Sequence, residues 1–260
     1  MTTRLENIIA SNSLAGIGEC GLDKNIISGG KSKNKNKDDS LGKELKEQQL
    51  VDMDMQMEIL LIHLEVAAKY RRSVTIHCVS GCWLQLLDAF KIVTSQFGSG
   101  CIPSIILHSC HSLPVEMLPS FFSAVGDSYA AKKSVKSNEN HKLKSDNFHF
   151  AEEDVPHVDG DNNFTRLYFS MSGRLFGSPK GIKLAKAVPL DRLLLETDSP
   201  DQIPVPFTGK GTDRKLSFNQ PGTLSFTCVE MAKLLNSKCE NLSIQTSSNA
   251  CRAFNTNLDT

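Results

Sequence analysis

The sequence predicts an α/β protein built from parallel βαβ units wound in one direction, and two features carry that prediction. Short runs of branched apolar residues alternate with longer stretches of helical periodicity, a strand-then-helix order that repeats five times along the chain. Several of the apolar runs also stop at a carboxylate or an imidazole, as strands do when they deliver a side chain to the loop at their C-terminal end, where α/β proteins build sites. The clearest case is Leu193 to Pro200, a run of leucines that ends in Glu196 and Asp198 before a proline. That is the pattern of a fully buried strand. Taken alone, the two carboxylates are also consistent with helix caps or solvated loop positions.

Composition sets the bounds. At 260 residues, 40% hydrophobic and 22% charged, the chain is an ordinary globular protein of one large domain or two small ones. Lys+Arg and Asp+Glu are both 29, so no basic field favours nucleic acid, and such a substrate has to be held by a local patch or a metal. No apolar run approaches a membrane span, and residues 1–14, with Arg4 and Glu6, lack the apolar core of a signal peptide. A cytoplasmic or nuclear protein with no membrane partner is expected. The eight cysteines include no CxxC pair and are expected to be reduced and mostly buried. Cys78, Cys82 and Cys110 near His77, His108 and His111 also suggest a zinc cluster, although their spacings fit no familiar finger.

In order, Arg4 to Ser11 places Leu5, Ile8 and Ile9 on one helical face. Leu14 to Asp23 reads as a strand of small and apolar residues breaking into a turn, with Glu19 among glycines at its end. Lys24 to Lys46 cannot bury enough apolar surface to fold and is expected to be a disordered insert. From Glu47 the pattern is helical, with Met53, Met57, Leu60, Leu61, Leu64, Ala67 and Ala68 on one core-facing stripe and His63 beside it. Ser73 to Cys78 is a β-branched strand reaching His77. Trp83, Leu87, Phe90 and Phe97 mark a helix, and Pro103 to His108 is a strand ending in a second histidine. Leu113 to Val125 reads as a helix kinked or broken at Pro119. Gly126 to Asn163 is a second polar insert, whose His141, His149 and His157 are expected to face solvent. Leu167 to Gly173 is a strand, Ile182 to Val188 a helix, and Leu193 to Thr197 the strand described first. After a loop to about Gly222, one helix turns Leu224, Cys228, Met231, Ala232 and Leu235 inward, and a short one covers Ser247 to Phe254.

Glu19, His77, His108 and Asp198 thus stand at the ends of four strands. Each has a purely structural reading. Converging on one rim, two imidazoles and two carboxylates form a mixed ligand set for Zn²⁺, Mn²⁺, Mg²⁺ or Fe²⁺.

Gly18 to Asp23, Gln56-Met57 ahead of Val74 to His77, Leu107-His108, Ser172-Gly173 and Leu195 to Pro200 follow one another in the order seen in TatD-related deoxyribonucleases. Asn219-Gln220-Pro221 and Asn249-Ala250 are similar to that family's closing segment. The chain outside its two inserts therefore resembles this family. The resemblance implies an amidohydrolase-like TIM barrel that cleaves phosphodiester bonds of DNA with one or two divalent ions, Mg, Mn or Zn. It implies that Glu19 sits between two metals and that His77 and His108 hold one of them. Asp198 then binds the other or accepts the proton of the attacking water. Glu196 is left a supporting role, one step deeper on the same side of its strand. The alternatives are a hydrolase of another ester or amide, and a truncated, catalytically impaired member that acts as an interaction module or is a non-functional isoform.

The sequence departs from the family in one respect. Family members open with a strand carrying a His-x-His pair; none occurs here, and the stretch resembling the fourth family strand begins near residue 14. His111 is a candidate substitute ligand. Residues 1–260 are therefore expected to form a single, incomplete TIM-barrel-type domain with about five of eight βα units. Its edge strands, at Leu14 and Leu193, would be apolar and unpartnered, so a marginally stable arc is expected, oligomeric through those edges or chaperone-bound.

Overall fold

Five short apolar runs pair in chain order into one parallel sheet: β1 (Ile17–Leu22), β2 (Val74–Cys78), β3 (Ser104–His108), β4 (Arg166–Ser172) and β5 (Leu193–Glu196). The computed structural model describes residues 2–24, 52–79, 81–128, 165–208 and 216–256. Within them lie helices α1 (Thr2–Ser11), α2 (Met53–Tyr70), α3 (Trp83–Phe97), α4 (Leu118–Val125), α5 (Pro179–Ala187), α6 (Leu224–Leu234) and α7 (Cys239–Phe254). The expected α/β architecture is observed. Most of the two expected inserts, with His141, His149 and His157, lies outside the described residues.

On the outer face the sheet packs against helices. Leu60 and Leu64 of α2, Leu86 and Phe90 of α3, and Phe121 and Phe122 of α4 close over Ile76, Leu107 and Phe169. Phe90 and Phe121 meet edge-on at 5.9 Å, the offset geometry that aromatic quadrupoles prefer. The inner face has its own small core. Ile106, Tyr168 and Leu194 bury against Ala250 and Ala253 of α7, so the last helix crosses the concave side of the sheet. Strands β3 and β4 are covered on both faces and are buried almost throughout, which is why they read as continuous apolar runs.

Several boundaries differ from the sequence-based expectation. Leu14 is 87% exposed and β1 starts only at Ile17, because residues 12–15 form a turn closed by the Ala15 N–H on the Asn12 carbonyl. Helix α2 starts at Met53, where the Asp52 side chain accepts the N–H groups of Asp54 and Met55. Pro119 does not break a helix but opens one. It stands in the first turn of α4, after a 3₁₀ turn at Val115–Met117, where its missing N–H costs nothing. In α6 the inward residues are Thr227, Met231 and Ala232, whereas Leu224 is exposed. Helix α7 is longer than expected, its polar Gln245 to Ser247 stretch having hidden its first turns.

The largest correction concerns Asp127, which the sequence places in a polar insert. It is buried, accepts the Leu167 N–H at 2.9 Å and pairs with Arg192 at 3.1 Å. That pair ties the start of β4 to the approach to β5. Strands β1 and β5 each have one sheet neighbour among the described residues. No described helix is long and apolar enough to cross a membrane.

Candidate metal centre

Strand β1, the ends of β2 and β3 and the loop after β5 meet on one rim, with Glu19 the third of the six β1 residues and not its last. Between β1 and β2 the register slips: Ile17 pairs with Val74 but Cys20 with Ile76, so β1 carries one extra residue. Such a bulge re-aims a side chain, and here it turns Glu19 toward β2. Gly21 makes the close approach possible, since a Cβ there would sit 1.7 Å from the His77 carbonyl oxygen. Glu19 Oε1 consequently lies 2.9 Å from His77 Nδ1 and 3.6 Å from His108 Nε2. The parallel register of β2 and β3 sets His77 beside His108, with ring centroids 5.9 Å apart.

His108 is held from behind. Its Nδ1 lies 3.0 Å from Glu196 Oε2, and Glu196 also accepts the Ser109 N–H at 2.8 Å, the Ser109 hydroxyl at 2.7 Å and the Ser170 hydroxyl at 2.5 Å. Burial works to raise the Glu196 carboxyl, but the His108, Ser170 and Ser109 contacts outweigh it and hold it below the usual carboxylate range. Burial likewise works to lower His108, yet Glu196, Glu19 and Asp198 together push it up to about 9. An ionised Glu196 accepts only from a protonated Nδ1, so Nε2 is the atom left to face Asp198 Oδ1 at 3.5 Å and Glu19. This is the carboxylate–histidine arrangement that orients a metal-binding imidazole.

The loop after β5 positions Asp198 in a left-handed backbone conformation, φ +56°. Its Oδ2 accepts from Gln202 Nε2. Gln202 in turn donates to Ser109 at 2.6 Å and accepts the Ser172 hydroxyl at 2.8 Å. Asn219 pins the same loop, donating to the Thr197 carbonyl at 2.6 Å. At Gly173 a Cβ would lie 2.8 Å from Thr227 Oγ1 and 2.9 Å from Pro204 Cγ, so the loop closes over the end of β4 only because that position is bare. The remaining motif residues are braces. Gln56 clamps the backbone of Asp23 with bonds of 2.8 and 3.0 Å, and buried Asn249 donates at 2.8 Å to both the Leu190 and Leu193 carbonyls.

The residues fit a divalent cation. Ligand atoms of Glu19, His77 and His108 lie within 4.8 Å of one another; Asp198 falls outside that group, its Oδ1 3.5 Å from His108 Nε2. His77 Nδ1 is buried and makes no hydrogen bond although Glu19 Oε1 is 2.9 Å away. At this separation the two atoms are close enough to share one cation. The cysteines do not take part: Cys78 and Cys110 are buried on the outer face, and burial pushes both thiols far up. His111 is pushed down by burial and by Arg174 and falls outside the ligand-spaced group. Sequence reasoning passed over Ser109, Ser170 and Gln202. Only Ser170 left a signal, the period of two that sets Tyr168, Ser170 and Ser172 on one face of β4.

Comparison with known proteins agrees with this geometry. A curated protein of Buchnera aphidicola subsp. Baizongia pistaciae, described as an uncharacterized metal-dependent hydrolase, is 41% identical over 91 residues, 34% of this chain and 32% of that protein. The uncharacterized metal-dependent hydrolase YcfH of Escherichia coli K12 is 39% identical over 90 residues, 34% and 31% of the two chains. The matches thus span about a third of these curated relatives. Among solved structures, the TatD homologue YjjV of Escherichia coli superposes with a TM-score of 0.60 at 16% identity, covering 98% of this chain and 70% of its own. A TatD family hydrolase of Entamoeba histolytica gives 0.57 at 14%, covering 96% and 67%. At these identities the superpositions establish the fold, a five-stranded parallel portion of the TatD barrel. The family model described as TatD related DNase matches residues 1–255, so the chain belongs to the TatD-related DNase family.

Proposed function

We propose that this chain is a metal-dependent hydrolase of DNA phosphodiester bonds, with Glu19, His77, His108 and Asp198 holding one or two divalent ions, Mg, Mn or Zn. The observation that carries the reading is the Glu196-oriented His108, whose Nε2 faces Glu19 and Asp198 while the buried His77 Nδ1 stands without a hydrogen bond. A bound divalent ion supplies Lewis acidity to a phosphoryl oxygen and lowers the pKa of an attacking water. Asp198 is the residue to take that water's proton, because Gln202 anchors Oδ2 and leaves Oδ1 toward the centre. Glu196 fixes the His108 tautomer and takes no direct part in bond cleavage. Glu19, half exposed, keeps the β1 side of the rim open to a long polymer. With equal numbers of acidic and basic residues, the ion rather than a basic groove has to attract the phosphate.

The same openness favours a second reading, a chain that binds metal but turns substrate over slowly, because β1 has no outer neighbour among the described residues to wall the site. Hydrolysis of another ester or amide on the same rim is the third. Cleavage of single- and double-stranded DNA and of model esters by the purified chain, with and without chelator, separates them. Chelator-sensitive DNA cleavage is expected, falling about 100-fold or more in Glu19→Ala and Asp198→Ala. Cleavage indifferent to chelator and to both substitutions would refute the reading. Stoichiometric metal without cleavage supports the second, and cleavage of esters alone the third.

A further inference from the structure

Outside the metal centre, one pair of nucleophilic side chains is already in contact. Cys228 on α6 and Cys239, the first residue of α7, place their Sγ atoms 3.5 Å apart. A disulfide needs about 2.05 Å, a difference that side-chain rotation can supply across the short turn joining the two helices. Cys239 is exposed and Cys228 half-buried, so an oxidant reaches one thiol and finds the other behind it. Burial, together with the neighbouring Cys239, pushes the Cys228 thiol up to about 11, which keeps it protonated in the resting pair. Both cysteines line a cavity of about 600 Å³ between these helices and the inner face of the sheet, whose floor includes Thr75, Ile106, Ser170 and Glu196.

We propose that Cys228 and Cys239 are a redox-modification site, converted by hydrogen peroxide to an intrachain disulfide that ties α6 to α7 and fixes the helical wall of this cavity. In the first step the Cys239 sulfur attacks one peroxide oxygen, the O–O bond breaks, and water leaves behind a sulfenic acid. In the second, Cys228 attacks the Cys239 sulfur, the S–O bond breaks, and a second water departs with the thiol proton. Two electrons pass from the two sulfurs to the peroxide, which is reduced to two waters. A thiol reductant reverses the change.

The test uses the whole chain treated with hydrogen peroxide, alkylated and digested with trypsin. Cleavage after Lys233 and Lys238 puts Cys228 and Cys239 on separate peptides, and Cys251 shares the second one. The expected result is a mass loss of about 2 Da and a bridged peptide pair whose fragments place the bond on Cys239. The bridge should persist in Cys251→Ser, vanish in Cys239→Ser and be undone by dithiothreitol. Wild type but not Cys239→Ser should gain about 5 °C in Tm on oxidation. Full alkylation of Cys228 while Cys239 proceeds to sulfinic acid, or a bond mapping to Cys251, would overturn the site. A bridge that leaves Tm unchanged would overturn the fixing of the wall.

Discussion

Glu196 touches no bound ion in this reading, yet it collects the densest hydrogen bonding at the rim, with bonds from His108, from the amide and hydroxyl of Ser109, and from Ser170. Its replacement should therefore act through His108. Glu196→Gln is expected to weaken divalent-metal affinity roughly 10- to 100-fold, measured by competitive metal titration; unchanged affinity would contradict the tautomer argument. The same pair shapes stability against pH in the metal-free chain. His108 is raised from 6.5 to about 9 on folding, so its contribution is complete below 6.5 and is lost as pH rises through about 9. Glu196 is held below its ordinary 4.5, so its share is present above 4.5 and is lost as pH falls through the lowered value. Denaturant midpoints should accordingly peak between these limits, and His108→Gln should flatten the alkaline limb; an unaltered limb would argue against the pairing. At this scale the strand-end positions of His77 and His108 were legible, because an apolar run that stops at a ligand-type residue is a local pattern; Glu19 instead lies inside β1 and Asp198 in the loop two residues past β5. Gln202 and Ser109 were not. Both lie in irregular loops, and only the folded backbone brings them together.

Elements were legible in order and type but less so in extent. The apolar runs of β3 and β4 announce themselves, since burial on both faces demands them, while β2 is buried on alternate residues and β5 only in its first half. The bulge in β1 does not, because one inserted residue leaves no mark on composition. Asp127 shows the cost of reading by neighbourhood. It follows α4 directly and opens a polar stretch, yet it bonds the β4 amide of Leu167 and the Arg192 guanidinium. Both partners are buried, so Asp127→Ala leaves the Arg192 guanidinium with the exposed Asp191 carboxylate alone and should cost about 3 kcal/mol in equilibrium unfolding. A loss below about 1 kcal/mol would place the pair among solvated surface bridges. Asn249 works on the other side of β5, where its amide donates to the Leu190 and Leu193 carbonyls.

For the whole molecule, the family resemblance carried an expectation of an open arc with apolar edges, and among the described residues β1 and β5 stand at the limits of the sheet. What the sequence did not disclose is that α7 folds across the concave face and buries Ile106, Tyr168 and Leu194, because helical periodicity does not say which sheet face a helix will cover. The edges themselves stay unpaired among the described residues, and self-association through them is expected. Light scattering coupled to size exclusion should show species larger than one chain, with a melt below about 45 °C on dilution. A monomer melting cooperatively above about 65 °C would rule this out. The central claim is that one rim of this sheet holds a divalent ion. Equilibrium dialysis against Zn²⁺ or Mn²⁺ after chelation tests it most directly: the wild-type chain should retain about one equivalent or more, and His77→Ala and His108→Ala should each lose it. Metal retained undiminished in a folded His77→Ala, His108→Ala double variant would contradict it.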